Sequence, residues 1–84
     1  MILIYDVAVE RVSKVLKKSR EYLTWIQNSV FEGEITEANL LLLKRELEDI
    51  IDKNYDSIII FILRTKYDEK IILGRIKNEP TSMF

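Results

Sequence analysis

A continuous apolar run near the end of the chain limits the folds that this sequence can adopt. Residues Ser57 to Leu63 read Ser-Ile-Ile-Ile-Phe-Ile-Leu, a pattern typical of a strand that is covered on both faces. The chain has only 84 residues, and a domain of about this size buries only about 60% of the surface that its unfolded form exposes. A second copy of the chain is the simplest cover for the far face of that strand, so we expect a homodimer.

The rest of the chain predicts an alternation of strands and helices. The apolar run from Ile2 to Asp6 predicts a buried strand. Apolar residues recur at helical spacing from Val9 to Tyr22 and predict an amphipathic helix. Thr36 stands where an N-cap belongs, ahead of a leucine-rich helix that runs to about Ile51. A late apolar segment at 70–74 predicts one further strand.

The segment from Leu23 to Ile35 is extended in character and leaves two alternatives open. It forms either two strands joined by a tight turn near Asn28 or one bent strand. With both helices on one face, the order of elements predicts an α+β fold of the ferredoxin-like βαββαβ type with an extra C-terminal strand. We expect one such domain over residues 1–77, an irregular tail over 78–84, and a homodimer whose sheets pack face to face.

The composition narrows the chemistry that is available. The chain contains no cysteine and no histidine, which excludes disulfides and the Ser-His and Cys-His nucleophile pairs. No apolar run approaches the roughly 20 residues of a membrane span, and the N-terminus lacks the basic region of a signal peptide, so we expect a cytoplasmic protein without membrane contact. The formal net charge of −1 argues against a free-standing nucleic-acid-binding domain. Contact with nucleic acid would need a local patch, a bound cation or a partner.

Asp6 is the strongest candidate for chemistry, both as a metal ligand and as a catalytic residue. It follows an apolar strand directly, and open α/β sheets tend to place ligands at the C-terminal ends of their strands. The alternative is a structural aspartate that ends the strand or caps the next helix. Two copies that face each other across a two-fold axis would suit Mg²⁺, which often takes only one or two carboxylates and keeps several waters.

Basic and aromatic residues supply the candidates for nucleic-acid binding. Arg11, Lys14 and Lys18 form a basic stripe on the first predicted helix, which is either a phosphate-contacting surface or an ordinary solvated face. Tyr5 and Phe31 are more typical of core or dimer-contact aromatics than of platforms on which bases stack.

Several segments together resemble one known family. They are Tyr5-Asp6-Val7, Arg11-Val12-Ser13-Lys14-Val15, the stretch from Tyr22 to Gly33, the leucine helix after Thr36, and Asp56-Ser57-Ile58. In this combination the chain resembles the CRISPR-associated Cas2 family over residues 2–63. The most specific part is Gln27-x-Ser29-Val30-Phe31-Glu32.

The resemblance implies a homodimer of ferredoxin-like protomers in which the late strand joins the partner's sheet. It also implies that Asp6 faces its mate across the dimer axis and binds Mg²⁺. Tyr5, Arg11 and Phe31 occupy positions that the family links with nuclease function or substrate contact. Some relatives carry a basic residue just before the Ile-Gln pair, where this chain has Trp25.

Two compatible functions follow from the resemblance. The first is a subunit for spacer acquisition, the adaptation step of CRISPR antiviral defence, which bridges two dimers of the integrase subunit and positions duplex DNA by its backbone. The second is a Mg²⁺-dependent endonuclease that hydrolyses phosphodiester bonds of RNA or DNA, with the paired Asp6 residues holding the ion. An alternative outside the family is a ferredoxin-like regulatory or ligand-binding module without nuclease activity.

Overall fold

The structure is a computed structural model, and it describes residues 1–63 and 69–76. Within these ranges the chain forms β1 (Ile2–Asp6), α1 (Val9–Arg20), β2 (Thr24–Gln27), β3 (Val30–Glu32), α2 (Glu37–Ile50), β4 (Ser57–Ile62) and β5 (Glu69–Gly74). The predicted irregular tail 78–84 lies outside the described residues. Neither of the two helices in this part of the chain is both long enough and apolar enough to cross a membrane.

The strands form one sheet in the order β2-β3-β1-β4-β5. Every neighbouring pair is antiparallel, which is the ferredoxin-like arrangement with β5 added at the edge beside β4. The predicted fold class is confirmed. The pairing of β5 differs from the expectation that it joins a partner's sheet. In this structure β5 pairs with β4 of the same chain, and Glu69 lies opposite Ile62.

The core lies between the two helices and one face of the sheet. Its fully buried members, each 0% exposed, are Leu3, Val15, Phe31, Leu43, Leu47, Ile58 and Ile60. Burying an aliphatic or aromatic side chain of this size stabilises the fold by about 1.5–3 kcal/mol. The helical periodicity read from the sequence is therefore confirmed for Val15 of α1 and for Leu43 and Leu47 of α2.

The other face of the sheet is left uncovered by the helices. Alternate residues of a strand point to opposite faces, so Ile2, Ile4 and Asp6 share the face of β1 that points away from buried Leu3 and Tyr5. Ile4 is 37% exposed, and it pairs with Ile59 of β4. Apolar side chains thus cover much of a face that no element of the described chain packs against.

The segment after α1 forms two strands, which settles the alternatives that the sequence left open. A tight turn joins β2 and β3, and Asn28 takes a positive φ of 46° there, a backbone conformation that asparagine tolerates better than most residues. The register shifts between Trp25 and Gln27. The indole Nε1 of Trp25 donates a hydrogen bond to the carbonyl of Asn28 at 2.9 Å, and the guanidinium of Arg20 lies 6.0 Å from the centre of the indole ring.

The ends of α2 place the turn that precedes β4. The Oγ1 atom of Thr36 accepts a hydrogen bond from the N–H of Asn39 at 3.1 Å, so the predicted N-cap is confirmed. At the other end the N–H of Ile51 donates to the carbonyl of Leu47 at 3.0 Å. The chain then leaves the helix and turns through residues 52–56 into β4.

Candidate functional site

Asp56, which directly precedes β4, is a fully buried aspartate with 0% exposure. Its Oδ1 atom accepts hydrogen bonds from the N–H of Ala8 at 2.9 Å and from Nη2 of Arg11 at 3.0 Å. Its Oδ2 atom accepts hydrogen bonds from Nε of Arg11 and from the N–H of Asp52, the latter at 2.8 Å. These four residues are called the Asp56 cluster below. The Arg11 guanidinium lowers the pKa of the Asp56 carboxyl from 3.8 to about 2.

The Asp56 cluster fixes the chain that follows Asp6. Ala8 precedes α1 and offers no side chain for a cap, and the carboxylate of Asp56 takes its N–H instead. Arg11 lies in the first turn of α1 and forms an ion pair with Asp56 through both Nε and Nη2. The sequence suggested Arg11 as a phosphate contact. In the structure its guanidinium is instead bound to a buried carboxylate.

The end of β5 is hydrogen-bonded to the backbone of Asp56. The N–H of Arg75 donates to the carbonyl of Asp56 at 2.8 Å. Gly74 has a φ of +82°, and a Cβ atom built on it would lie 2.3 Å from that carbonyl oxygen. Only glycine fits this close approach without a shift of the backbone. The residues just after β5 are therefore held against the turn that leads into β4.

These contacts form a groove at one end of the strands, which we call the strand-end groove. Its lining residues are Asp6, Val7, Ala8, Tyr55, Asp56 and Arg75. Asp6 and Arg75 are exposed, and Tyr55 is 63% exposed. The sequence predicted Asp6 but missed the other two. The feature that could have identified Tyr55 and Arg75 is the antiparallel pairing of β1, β4 and β5. This pairing brings the end of β1, the start of β4 and the end of β5 to the same end of the sheet.

Lys18 and Lys14 of the predicted basic stripe differ in what their side chains contact. Nζ of Lys18 lies 2.9 Å from Oε2 of Glu46 and 3.1 Å from a carboxylate oxygen of Glu21, and the hydrogen bond to Glu46 raises the pKa of Lys18. The hydroxyl of Tyr22 also donates to Glu46, at 2.6 Å. Lys18 therefore links α1 to α2. Lys14 is exposed, and it forms no ion pair with the residues that the structure describes.

Tyr5 and Phe31 lie in the core of the single chain. Tyr5 is 6% exposed and Phe31 is 0% exposed, and their ring centroids are 6.3 Å apart. Burial raises the pKa of the Tyr5 hydroxyl. This placement agrees with the core role that the sequence favoured for these aromatics over base stacking.

The donors in the strand-end groove fit Mg²⁺ only if two chains contribute. Within residues 1–63 and 69–76, no three metal-binding side chains come together. Both carboxylate oxygens of Asp56 are already engaged by N–H donors and by Arg11. One chain therefore supplies the single carboxylate of Asp6, and a second copy would supply another. Two carboxylates with several retained waters match the preference of Mg²⁺.

Comparison with known proteins assigns the family. The family model described as CRISPR associated protein Cas2 matches residues 1–71. A protein of Dictyoglomus turgidum named CRISPR-associated endoribonuclease Cas2 is 56% identical over 80 residues, which cover 94% of this chain and 92% of that protein. A Cas2 protein of Thermodesulfovibrio yellowstonii with the same type of name is 51% identical, over 96% of this chain and 92% of the relative.

Solved structures agree with this assignment. A structure described as the crystal structure of Cas2 superposes with a TM-score of 0.72 at 43% identity, and the match covers 93% of this chain and 88% of the other. Streptococcus pyogenes Cas2 superposes with a TM-score of 0.70 at 35% identity, over 77% of this chain and 86% of the other. Sequence and fold thus agree over most of the chain, and the protein belongs to the Cas2 family of CRISPR-associated proteins.

Proposed function

We propose that the chain works as a homodimer that binds nucleic acid in CRISPR adaptation and, with Mg²⁺ held between two Asp6 carboxylates, hydrolyses phosphodiester bonds of RNA. The observation that carries this proposal is the position of Asp6. It lies at the end of β1, on the uncovered apolar face of the sheet, and it lines the strand-end groove. The relatives named above as endoribonucleases support the choice of RNA.

The uncovered face supports the dimer. Ile2, Ile4, Ile59 and Phe61 lie on it in mutual register, because β1 and β4 pair Ile2 with Phe61 and Ile4 with Ile59. Removing apolar surface from water is worth about 25 cal/mol per Å², so a second copy that covers this face stabilises both chains. Asp6 shares the face with these residues, and a two-fold axis near the end of β1 would bring the two carboxylates together.

Residues of the chain would have different roles around such a pair of Asp6 carboxylates. Asp6 would hold the ion, and the Asp56 cluster keeps the backbone behind Asp6 in place through the N–H of Ala8. Mg²⁺ bound there would polarise a phosphoryl oxygen and make a neighbouring water more acidic, chemistry that needs no histidine. Arg75 supplies a positive charge on the wall of the same groove.

The Asp6→Asn variant tests the metal site. The substitution keeps the shape of an exposed side chain, so the fold should be retained, while the affinity for Mn²⁺ as a probe of the Mg²⁺ site and the cleavage of single-stranded RNA should both fall strongly. Asp49→Asn is the matched control, because Asp49 is an exposed aspartate on α2. Cleavage and Mn²⁺ binding that survive in Asp6→Asn at the level of the control would refute the assignment.

A second role, the positioning of duplex DNA for the CRISPR integrase, is favoured by a different surface. Lys14, Lys17 and Arg20 are all exposed and follow one another at a spacing of three residues along α1. Residues at this spacing are neighbours on a helix surface, and a row of basic residues suits contact with a phosphate backbone, independent of sequence. The acidic balance of the whole chain fits a subunit that shares its DNA with a larger partner.

Charge reversal on α1 tests this second role. Lys14→Glu should weaken binding of a short duplex to the complex with the integrase subunit, and the salt dependence of binding should become shallower. Arg45→Glu on α2 is the matched control, because it reverses another exposed positive charge on the other helix. Equal duplex affinity in the Lys14 variant and in the wild type would remove α1 from the DNA-binding surface.

A further inference from the structure

The strand-end groove brings together an exposed arginine, an exposed tyrosine and a carboxylate from three separate parts of the chain. We propose that Arg75 and Tyr55 form a contact site for a single nucleic-acid strand beside Asp6. Arg75 binds a phosphate of the strand, and Tyr55 stacks on an unpaired base next to that phosphate. This inference rests on the proposed function and adds to it two residues that hold the strand beside Asp6.

Arg75 and Arg11 differ in how their charges are paired within the described residues. Arg11 gives its guanidinium to the buried carboxylate of Asp56. Arg75 is exposed, and no acidic side chain in the described ranges lies within ion-pair distance of it. The planar guanidinium fork matches the geometry of phosphate oxygens. Of the two arginines at this end of the sheet, Arg75 is the more exposed and the one without an acidic partner among the described residues, which favours it for a phosphate contact.

Tyr55 offers an aromatic surface that the fold does not use. Its side chain is 63% exposed, although burial of a tyrosine ring in a core contributes substantially to stability. Nucleic-acid bases stack on such rings irrespective of sequence. Stacking of this kind needs an unpaired base, so a single strand is the ligand that tests the site.

Both side chains project from backbone that is firmly held. The N–H of Tyr55 donates to the carbonyl of Asp52 at 3.1 Å, and the N–H of Asp56 donates to the same carbonyl at 2.8 Å. Arg75 is fixed through its own N–H to the carbonyl of Asp56. The two residues therefore flank one rigid point, Asp56, and Asp6 lies on the same groove. Binding a strand needs no rearrangement of these segments.

Binding without cleavage tests the site directly. Fluorescence anisotropy of a labelled single-stranded RNA, measured in EDTA, separates binding from any metal-dependent reaction. Arg75→Ala should weaken binding about tenfold and reduce the slope of log affinity against log salt by about 0.7, the value for one phosphate contact on a single strand. Tyr55→Ala should weaken binding about tenfold, and Tyr55→Phe, which keeps the ring, should bind like the wild type.

The controls separate this site from general electrostatics and from the proposed function. Arg45→Ala removes an exposed arginine on α2 and should leave binding of the single strand unchanged. Tyr55→Ala should leave the affinity for a duplex of the same sequence unchanged. If the wild type binds the RNA and the Arg75 and Tyr55 variants bind it equally well, the contact site is refuted while nucleic-acid binding stands. A wild type that binds no RNA would overturn the proposed function and this inference together.

Discussion

The contrast between Arg11 and Lys18 shows what decides the role of a single charged residue in this protein. Both are basic residues of α1 that reach acids on other elements. The partner of Arg11 is fully buried Asp56, and two hydrogen bonds join the pair. The partners of Lys18 are partly exposed carboxylates of Glu46 and Glu21. Water screens the second set of contacts and not the first, so the two residues should differ in their effect on stability.

Replacing each basic residue by methionine measures that difference. Arg11→Met leaves the Asp56 carboxylate buried without its counter-charge, which should lower the free energy of unfolding by roughly 3 kcal/mol. Lys18→Met breaks an exposed pair and should cost less than about 1 kcal/mol. Urea unfolding of both variants at neutral pH provides the comparison. Equal losses would show that the burial of Asp56 does not govern the energetics.

Asp56 should also make stability depend on pH. Its pKa is about 2 in the folded chain against an ordinary 3.8, so the folded state binds fewer protons than the unfolded state between these values. The contribution, about 2 kcal/mol, is fully present above the unfolded pKa and is lost as the pH falls from about 4 to 2. The difference in unfolding free energy between the wild type and Asp56→Asn should shrink over this window. A difference that stays constant from pH 7 to pH 2 would contradict the depressed pKa.

At the scale of elements, the local signals in the sequence were sufficient for the helices and most strands. Thr36 capped α2 as predicted, and the positive φ of Asn28 explains why the extended segment breaks into β2 and β3. Local signals of this kind do not identify contacts between residues that are far apart in the sequence. Arg11 and Asp56 are 45 positions apart, and nothing in the polar link at 52–56 indicates that one of its acids is buried. For the same reason helical spacing grouped Arg11, Lys14 and Lys18 although they face different neighbours.

The site was predictable to the same extent as its elements. Asp6 could be found because it ends a recognisable strand. Tyr55 and Arg75 could not, because they lie in irregular segments that reach Asp6 only through the order of the strands. The strand that β5 pairs with could not be predicted either, because an apolar strand pattern does not specify whether the neighbouring strand belongs to the same chain or to another.

The junction of β5 with the turn before β4 can be tested at Gly74. Gly74→Ala places a methyl group against the carbonyl of Asp56, at a distance that real Cβ atoms do not adopt, and it imposes a positive φ on a residue with a side chain. We expect a loss of about 2 kcal/mol in unfolding free energy, measured by urea or thermal unfolding. A variant as stable as the wild type would mean that β5 can leave this position at little cost.

At the scale of the whole molecule, the two faces of the sheet have different surroundings. One face packs on the helices and holds the core together. The other carries apolar residues around Ile4 and ends in the carboxylate of Asp6. If the proposed dimer forms on this face, assembly and chemistry use the same surface, and a change that prevents association should also remove the proposed site that depends on two carboxylates.

Ile4→Glu tests this link. A charge in the centre of the uncovered face should convert the proposed dimer into a monomer, as measured by size-exclusion chromatography with light scattering, and should abolish Mn²⁺ binding. Leu42→Glu is the control, because Leu42 is 47% exposed on α2, away from this face. A dimer that persists in Ile4→Glu would place the interface elsewhere.

The contact between Trp25 and its neighbours has an optical consequence. The sequence contains a single tryptophan, and its indole lies at the hairpin of β2 and β3, hydrogen-bonded to Asn28 and close to Arg20. The strand-end groove is lined by residues at the end of β1, before β4 and after β5, and Trp25 is not one of them. Emission from this indole therefore reports on the end of α1 where Arg20 lies. A duplex bound along Lys14, Lys17 and Arg20 should alter the emission directly through Arg20, and a strand bound only in the groove should alter it less, so a comparison of the two spectra distinguishes the two modes of binding.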